Sequence, residues 1–109
     1  MSERRIASRV NVSFPVECNS LSDKSYFYTV SKDLSMSGVK ILTNDFLSKN
    51  DSVKVKINLI DQVVGVKAKV VWCNKERIAD RYCAGLEFVE INNLNKDALE
   101  QFLNKIYNA

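Results

Sequence analysis

The strongest constraint on the fold is a strict alternation of apolar and other residues in the middle of the chain. Apolar side chains occupy every second position of one segment, at Val53, Val55, Ile57 and Leu59. A second segment repeats this spacing, at Val66, Ala68, Val70 and Trp72. Because successive side chains of a strand point to opposite faces, each segment predicts a strand with one buried face. Residues 60–65 between them predict a hairpin turn.

Four further segments have the aromatic, β-branched or otherwise apolar composition of strands, namely residues 12–18, 25–31, 39–43 and 82–91. Pro15 lacks the N–H group that a strand ladder needs, so we expect the first strand to lie at an edge or to contain a bulge. Gly85 predicts a bend or bulge in the last strand, where another backbone passes close.

The end of the chain changes period and predicts a helix. Its apolar residues follow the spacing i, i+3, i+4 and i+7, at Leu99, Phe102, Leu103 and Ile106. That spacing gives one apolar stripe along a helix. Asn95 is the predicted N-cap, and Asp97 is predicted in the first turn, where the helix dipole favours a carboxylate.

Six short strands followed by one amphipathic helix predict a mainly all-β fold. We expect a six-stranded antiparallel β-barrel, or a sandwich, with the helix against an open end. Helices do not alternate with strands, which argues against a doubly wound parallel sheet. The 109 residues suit one domain. We divide it into a flexible N-terminal arm over 1–10, the barrel over 11–92 and the helix over 94–108.

Composition excludes several functional classes. The net charge of +3 is too small to indicate nucleic acid or an anionic membrane as the partner. Histidine is absent and the three cysteines form no CxxC pair, so we expect no metal site. We find no evident nucleophile–base pair or paired carboxylates, which argues against an enzyme. A chain start without an apolar signal region, and no membrane-spanning run, predict a cytoplasmic protein with reduced thiols.

Three arginines fall within the first nine residues, at Arg4, Arg5 and Arg9. The planar guanidinium of arginine can grip a phosphate through two hydrogen bonds or stack on a purine. An arm that holds Arg5 and Arg9 four residues apart could therefore wrap a small anionic ligand. A solvated basic N-terminus explains the same residues without any ligand, and a short motif alone does not separate the two interpretations.

The segment 33–38, Asp-Leu-Ser-Met-Ser-Gly, separates the second and third predicted strands. Asp and Ser side chains close turns by bonding nearby backbone groups, and Gly38 can take a positive φ without steric cost. These residues explain a tight turn with no further function. In a functional interpretation, Asp33 and Ser35 point outward to a guanine, because the two oxygens of a carboxylate suit its N1 and N2 donors.

The two segments together, RxxxR followed some two dozen residues later by DxSxxG, resemble the PilZ family of cyclic di-GMP receptors. The resemblance covers nearly the whole chain, including the strand that ends at Trp72, residues 82–88 and the C-terminal helix. It implies that Arg5 and Arg9 bind phosphate and stack on guanine. It also implies that the other side of the base is bound by Asp33, Ser35 and Gly38.

Three positions extend or qualify this resemblance. An arginine at the position of Arg4 favours, in the family, a stacked and intercalated pair of ligand molecules over a single one. Ser37 stands where many members have glycine, although Gly38 itself is present. Trp72 is either a core anchor or, as the resemblance implies, an aromatic residue placed beside a guanine.

The resemblance implies a receptor or adaptor that signals without catalysis and needs no cofactor besides its ligand, cyclic di-GMP. We expect the arm to order around the ligand and to present a changed surface to an unidentified downstream protein. An interaction module that acts without ligand is the main alternative. A barrel that binds single-stranded nucleic acid is disfavoured, because the consecutive Tyr26, Phe27 and Tyr28 alternate between faces. Four lysines predict a solvated strand face, namely Lys54, Lys56, Lys67 and Lys69.

Overall fold

The computed structural model describes residues 13–22 and 24–107 and, for Tyr107, the backbone alone. These residues form the strands β1 (Pro15–Ser20), β2 (Tyr26–Lys32), β3 (Gly38–Thr43), β4 (Ser52–Asn58), β5 (Val63–Lys75) and β6 (Tyr82–Glu90), followed by the helix α1 (Asn93–Tyr107). The strands close into an antiparallel barrel, so the predicted fold class is confirmed. The predicted N-terminal arm, residues 1–10, lies outside the described residues.

The strand order places two pairs of strands on opposite sides of the barrel. Around the barrel the order is β1-β2-β3-β6-β5-β4, and β1 closes the ring by pairing with both β2 and β4. β3 pairs with β6 along its whole length, from Gly38 opposite Glu87 to Thr43 opposite Tyr82. The outer face of β3 and β6 therefore lies across the barrel from the outer face of β1 and β4.

The barrel interior holds the residues that the alternation predicts. The side chains of Val53, Val55 and Ile57 in β4 have no exposed surface, whereas Lys54 and Lys56 between them are exposed. In β5 the buried set is Val64, Val66, Ala68 and Val70. Burying one such aliphatic side chain stabilises the fold by about 1.5–3 kcal/mol. A slip of one residue would turn the whole apolar stripe outward, so this pattern excludes a slip of one residue.

Helix α1 begins before the cap that the sequence predicts. The side-chain Oδ1 of Asn92 accepts a hydrogen bond from the backbone N–H of Asn95 at 2.8 Å, so Asn92 is the N-cap. The side-chain Oδ1 of Asn95 accepts instead from the Gly65 N–H of β5 at 3.2 Å. The prediction of Asn95 as the cap is therefore wrong, and Asp97 lies beyond the first turn. Asn95 ties the helix to the barrel.

The apolar stripe of α1 covers one end of the barrel. Leu99 is fully buried, and the ring of Phe102 meets that of Phe14 edge-on with 5.1 Å between centroids. Leu103 also packs against the core. Ile106 is 40% exposed, so the apolar stripe extends beyond the part of the barrel that it covers. Among the described residues, no helix has the length and apolar character needed to cross a bilayer.

The strand ends differ from the predicted ones by up to three residues, and two of them affect the interpretation. β5 begins at Val63, inside the predicted turn, and the real turn is closed by the Leu59 N–H, which donates to the Gln62 carbonyl at 2.9 Å. Pro15 is the first residue of β1 and is exposed, so it costs the ladder little. Because the barrel is closed and β1 pairs on both sides without a register shift, the expectation of an edge strand or a bulge there is wrong.

Candidate ligand-binding site

A β-bulge interrupts β5 at Val71. Val70 and Trp72 lie opposite successive residues of β6, so Val71 is an extra residue between them. An extra residue shifts the alternation of side chains by one. Trp72 consequently lines an outer cleft, and Cys73 packs against the core in its place. The simple alternation, which assigns Trp72 to the buried stripe, is wrong at this position.

The indole of Trp72 lies directly against Gly85, its cross-strand partner on β6. A Cβ atom at position 85 would overlap the Cε2 and Nε1 atoms of the indole, so glycine is required for this contact. The sequence predicts a close backbone at Gly85, whereas the structure places a side chain there. The ring is held on the sheet, and its aromatic surface lines the cleft.

Asp33 and Ser35 shape the turn between β2 and β3. Asp33 has a φ of 53°, in the left-handed region that aspartate tolerates better than most residues. The buried Ser35 hydroxyl accepts a hydrogen bond from the Ser37 N–H at 3.2 Å and lies 3.3 Å from the Gly38 carbonyl oxygen. The Ser35 N–H donates to the same carbonyl at 3.0 Å. Ser35 thus holds the turn closed, and its contact with a ligand stays a prediction.

Gly38 is needed for a close contact between strands. None of the described glycines has a positive φ, so the left-handed residue of this turn is Asp33. A Cβ atom at position 38 would overlap the carbonyl oxygen of Leu86 on β6. The turn is also tied to β6 by the Phe88 N–H, which donates to the Ser37 carbonyl at 2.9 Å. These contacts draw the 33–38 turn against β6.

The turn, β3, β6 and Trp72 surround an open cleft of about 220 Å³. Inside it the Nζ atom of Lys40 lies 2.8 Å from the Oδ2 atom of Asp33. Glu87 also lines the cleft and forms an ion pair with Lys69 at 3.8 Å. The described lining residues therefore carry one lysine and two carboxylates. A ligand with two phosphates would need further cations from outside this set.

The cleft brings together four of the predicted site residues, Asp33, Ser35, Gly38 and Trp72. The other three, Arg4, Arg5 and Arg9, lie outside the described residues. Trp72 is far from the 33–38 turn in the sequence and reaches it only because β5 and β3 both pair with β6.

Sequence reasoning missed Lys40 and Glu87 in the cleft. Lys40 follows Gly38 by two residues in β3, so the period of a strand places both on one face, and this signal could have identified it. Glu87 lies opposite Gly38 through the register of β3 with β6. No local pattern in the sequence specifies that register.

A second outer face, the Tyr–Lys face, lies across the barrel on β1, β2 and β4. We define it by Glu17, Tyr26, Tyr28, Lys54 and Lys56. Tyr26 and Tyr28 are 54% and 70% exposed and meet edge-on with 5.4 Å between ring centroids. The Tyr26 hydroxyl donates to Glu17 Oε1 at 2.5 Å, and this hydrogen bond is the main cause of the raised pKa of Tyr26.

The aromatic and lysine residues of this side follow the predicted alternation. Phe27 packs against the core, whereas its neighbours Tyr26 and Tyr28 face outward. Lys54 and Lys56 are exposed, as expected of a solvated strand face, whereas Lys67 and Lys69 on β5 are half-buried.

The sequence matches the family model described as the PilZ domain over residues 3–105. None of the curated proteins matches it. Three solved structures illustrate the structural likeness, and all three are less than 25% identical to this chain. Identities this low establish a common fold alone.

The Bacillus subtilis inhibitor of motility, MotI/DgrA, matches with a TM-score of 0.77 and 20% identity. The match covers 92% of this chain and 49% of the MotI/DgrA chain. The chain thus spans about half the length of MotI/DgrA. The PilZ domain of CeSA from a cellulose-synthesizing bacterium has a TM-score of 0.66 and 17% identity, covering 91% and 97% of the two chains. The PilZ domain of Escherichia coli YcgR, solved with c-di-GMP, has a TM-score of 0.70 and 14% identity, covering 94% and 88%.

Proposed function

Because the chain belongs to the PilZ domain family, we propose that it is a receptor for cyclic di-GMP, bound in the cleft between the 33–38 turn and Trp72. One observation carries this proposal: the Asp33 carboxylate and the Trp72 ring line the same cleft. A guanine can bind both kinds of group. Its N1 and N2 donors bind a carboxylate, and its flat face stacks on an aromatic ring.

In this proposal the N-terminal arginines bind the phosphates of the ligand. The described cleft residues include one lysine against two carboxylates, so they do not neutralise two phosphates. Arg5 and Arg9 supply the missing charge, and a guanidinium can hold a phosphate through two parallel hydrogen bonds. The match to the family model begins at residue 3 and so includes both arginines.

Signalling follows from the position of these arginines in the chain. A segment that must close over the ligand changes the surface around the cleft when the ligand binds, and a downstream protein can recognise that change. We therefore propose that the protein acts as an adaptor, with ordering of residues 1–10 as the switching step.

Isothermal calorimetry tests the proposal, with cyclic di-GMP as ligand and with GMP and cyclic di-AMP as controls. We expect saturable binding of cyclic di-GMP alone. Arg5→Ala and Arg9→Ala should each weaken it by about one to two decades, because each removes a charge-assisted contact worth about 1.5–3 kcal/mol. Arg77→Ala, an exposed arginine on the loop after β5, is the matched control and should leave the affinity unchanged.

The same titration reports stoichiometry. If Arg4 supports an intercalated pair, the wild type binds two ligand molecules and Arg4→Ala binds one. A one-to-one ratio in the wild type would contradict the assignment of Arg4. An unchanged dissociation constant in Arg5→Ala or Arg9→Ala would contradict the roles of those residues. A wild type that binds none of the three nucleotides would favour the ligand-free interaction module instead.

A further inference from the structure

Lys40 occupies a central position in the cleft and has no role in the proposed function so far. It is opposite Gly85 on β6, and Gly85 is in turn opposite Trp72 on β5. The Lys40 side chain therefore emerges between the Trp72 ring and the turn that carries Asp33. Its Nζ atom lies 2.8 Å from Asp33 Oδ2, and the two side chains are 36% and 23% exposed. A carboxylate and an ammonium group thus stand side by side next to an aromatic surface.

We propose that Asp33 and Lys40 together recognise the hydrogen-bonding edge of guanine, with Lys40 as a specificity residue for its O6 atom. This inference rests on the proposed function. Along that edge guanine presents two donors, N2 and N1, followed by one acceptor, O6. The Asp33–Lys40 pair presents the complementary order, since the carboxylate has two acceptor oxygens and the ammonium has only donors. A carboxylate oxygen has enough lone pairs to accept from Lys40 and from a base together.

The same pair disfavours adenine. Adenine has a donor at position 6 and an acceptor at N1, so Lys40 would face a donor and Asp33 would face an acceptor. Leaving polar groups unpaired once the ligand covers them rejects that ligand more effectively than a difference in size does. The pair therefore explains specificity as well as affinity.

A purely structural ion pair is the competing explanation for this geometry. A partly exposed pair of this kind contributes about 0–1 kcal/mol to folding, so stability measurements do not separate the two explanations. Ligand chemistry does separate them. If Lys40 only positions Asp33, removing it weakens the contacts to N1 and N2. If Lys40 binds O6, removing it leaves the guanine N2 contact unaffected.

The experiment measures the affinities of the full 109-residue chain for cyclic di-GMP and for its inosine analogue, which keeps O6 and N1 but lacks the N2 amine. We compare the wild type with Lys40→Met, Lys40→Arg and the matched control Lys54→Met, an exposed lysine on the Tyr–Lys face. Lys40→Met should weaken both ligands by the same factor, about tenfold. Lys40→Arg, which keeps donors, should recover most of that loss, and Lys54→Met should change neither affinity. Circular dichroism checks the folding of each variant.

Each other outcome overturns a distinct statement. If the wild type binds cyclic di-GMP and the affinity of Lys40→Met lies within twofold of the wild-type value, the role of Lys40 is refuted and the proposed function stands. A loss in Lys40→Met that is larger for cyclic di-GMP than for the inosine analogue refutes the O6 contact, because that pattern belongs to positioning of Asp33. If Lys54→Met loses as much affinity as Lys40→Met, a local contact between Lys40 and the ligand is refuted. No binding by the wild type refutes the proposed function and the inference with it.

Discussion

The two outer faces of the barrel contain the same kinds of side chain but differ in shape. The cleft contains Trp72, Lys40 and Asp33, and the Tyr–Lys face contains tyrosines, lysines and Glu17. In the cleft the lysine is paired with a carboxylate and the tryptophan lies against Gly85. On the Tyr–Lys face the two tyrosine rings meet each other edge-on, and each is more than half exposed.

Glycine positions and one bulge account for the difference in shape. Gly38 lets the 33–38 turn approach β6, Gly85 lets the indole lie on the sheet, and the bulge at Val71 turns Trp72 outward. Gly65, on the opposite side, permits no such close approach, because a Cβ atom added there would meet nothing within 4 Å. Composition alone therefore does not distinguish a binding site from a solvated strand face. The close approach of neighbouring segments to the backbone does distinguish them.

The largest expected contrast is in ligand stacking. Trp72→Ala should weaken binding of cyclic di-GMP by about 5- to 150-fold, because base stacking on an aromatic side chain contributes about 1–3 kcal/mol. Tyr28→Ala removes a 70% exposed ring from the other face and should leave the affinity unchanged. Calorimetry of both variants measures the contrast. Equal losses would remove the distinction between the two faces.

The next contrast is in stability. Gly38→Ala forces a Cβ atom against the Leu86 backbone, which cannot move aside without disturbing β6, and should destabilise the fold by about 1–3 kcal/mol. Gly65→Ala places its Cβ in open space and should stay within about 0.5 kcal/mol of the wild type. Urea unfolding of the two variants gives the comparison. If Gly38→Ala unfolds at the wild-type midpoint, the close approach is not a constraint.

The smallest contrast concerns the cysteines of the two sides. Burial raises the pKa of the Cys18 thiol, beneath the Tyr–Lys face, to about 12. The folded state therefore keeps this proton above pH 9 while the unfolded state releases it, so stability falls as pH rises. Between pH 8 and 10, this lowers the stability of the wild type relative to Cys18→Ala by about 1.4 kcal/mol.

Cys83 on β6 is the control for this effect. Burial also raises its pKa, but nearby Lys32 and Lys40 oppose that shift. Cys83→Ala should therefore remove less of the pH dependence than Cys18→Ala does. Unfolding curves of the three proteins at several pH values test the order. A pH dependence identical in the wild type and Cys18→Ala would contradict the assignment of the buried thiol.

Local patterns in the sequence predicted the barrel well. Alternation in residues 53–59 and 66–70 depends only on which face each side chain takes, and the stripes lie where expected. The same pattern failed at Trp72, because a bulge is set by pairing with β6 and leaves no mark in the spacing. The preference of asparagine for the N-cap also failed to identify Asn92, since several asparagines close together satisfy that preference.

The candidate site was only partly predictable for the same reason. The 33–38 turn is a local motif, and its residues were found from the sequence. The sequence allows a positive φ at Gly38, but the positive φ occurs at Asp33. Glycine is needed at position 38 because the Leu86 carbonyl oxygen of β6 lies too close for a Cβ atom. Lys40 and Glu87 enter the site through strand register. The contributions of Arg4, Arg5 and Arg9 stay predictions.

A nitrogen–proton NMR titration of the isotope-labelled chain with cyclic di-GMP tests the central claim most directly, because one spectrum samples both faces. We expect saturable shifts of the Trp72 indole N–H and of the Gly38 and Gly85 amides, with the Asn19 and Gly65 amides unmoved. The same shifts should be absent with cyclic di-AMP. An unchanged spectrum, or shifts confined to the Tyr–Lys face, would contradict the assignment of the cleft as the cyclic di-GMP site.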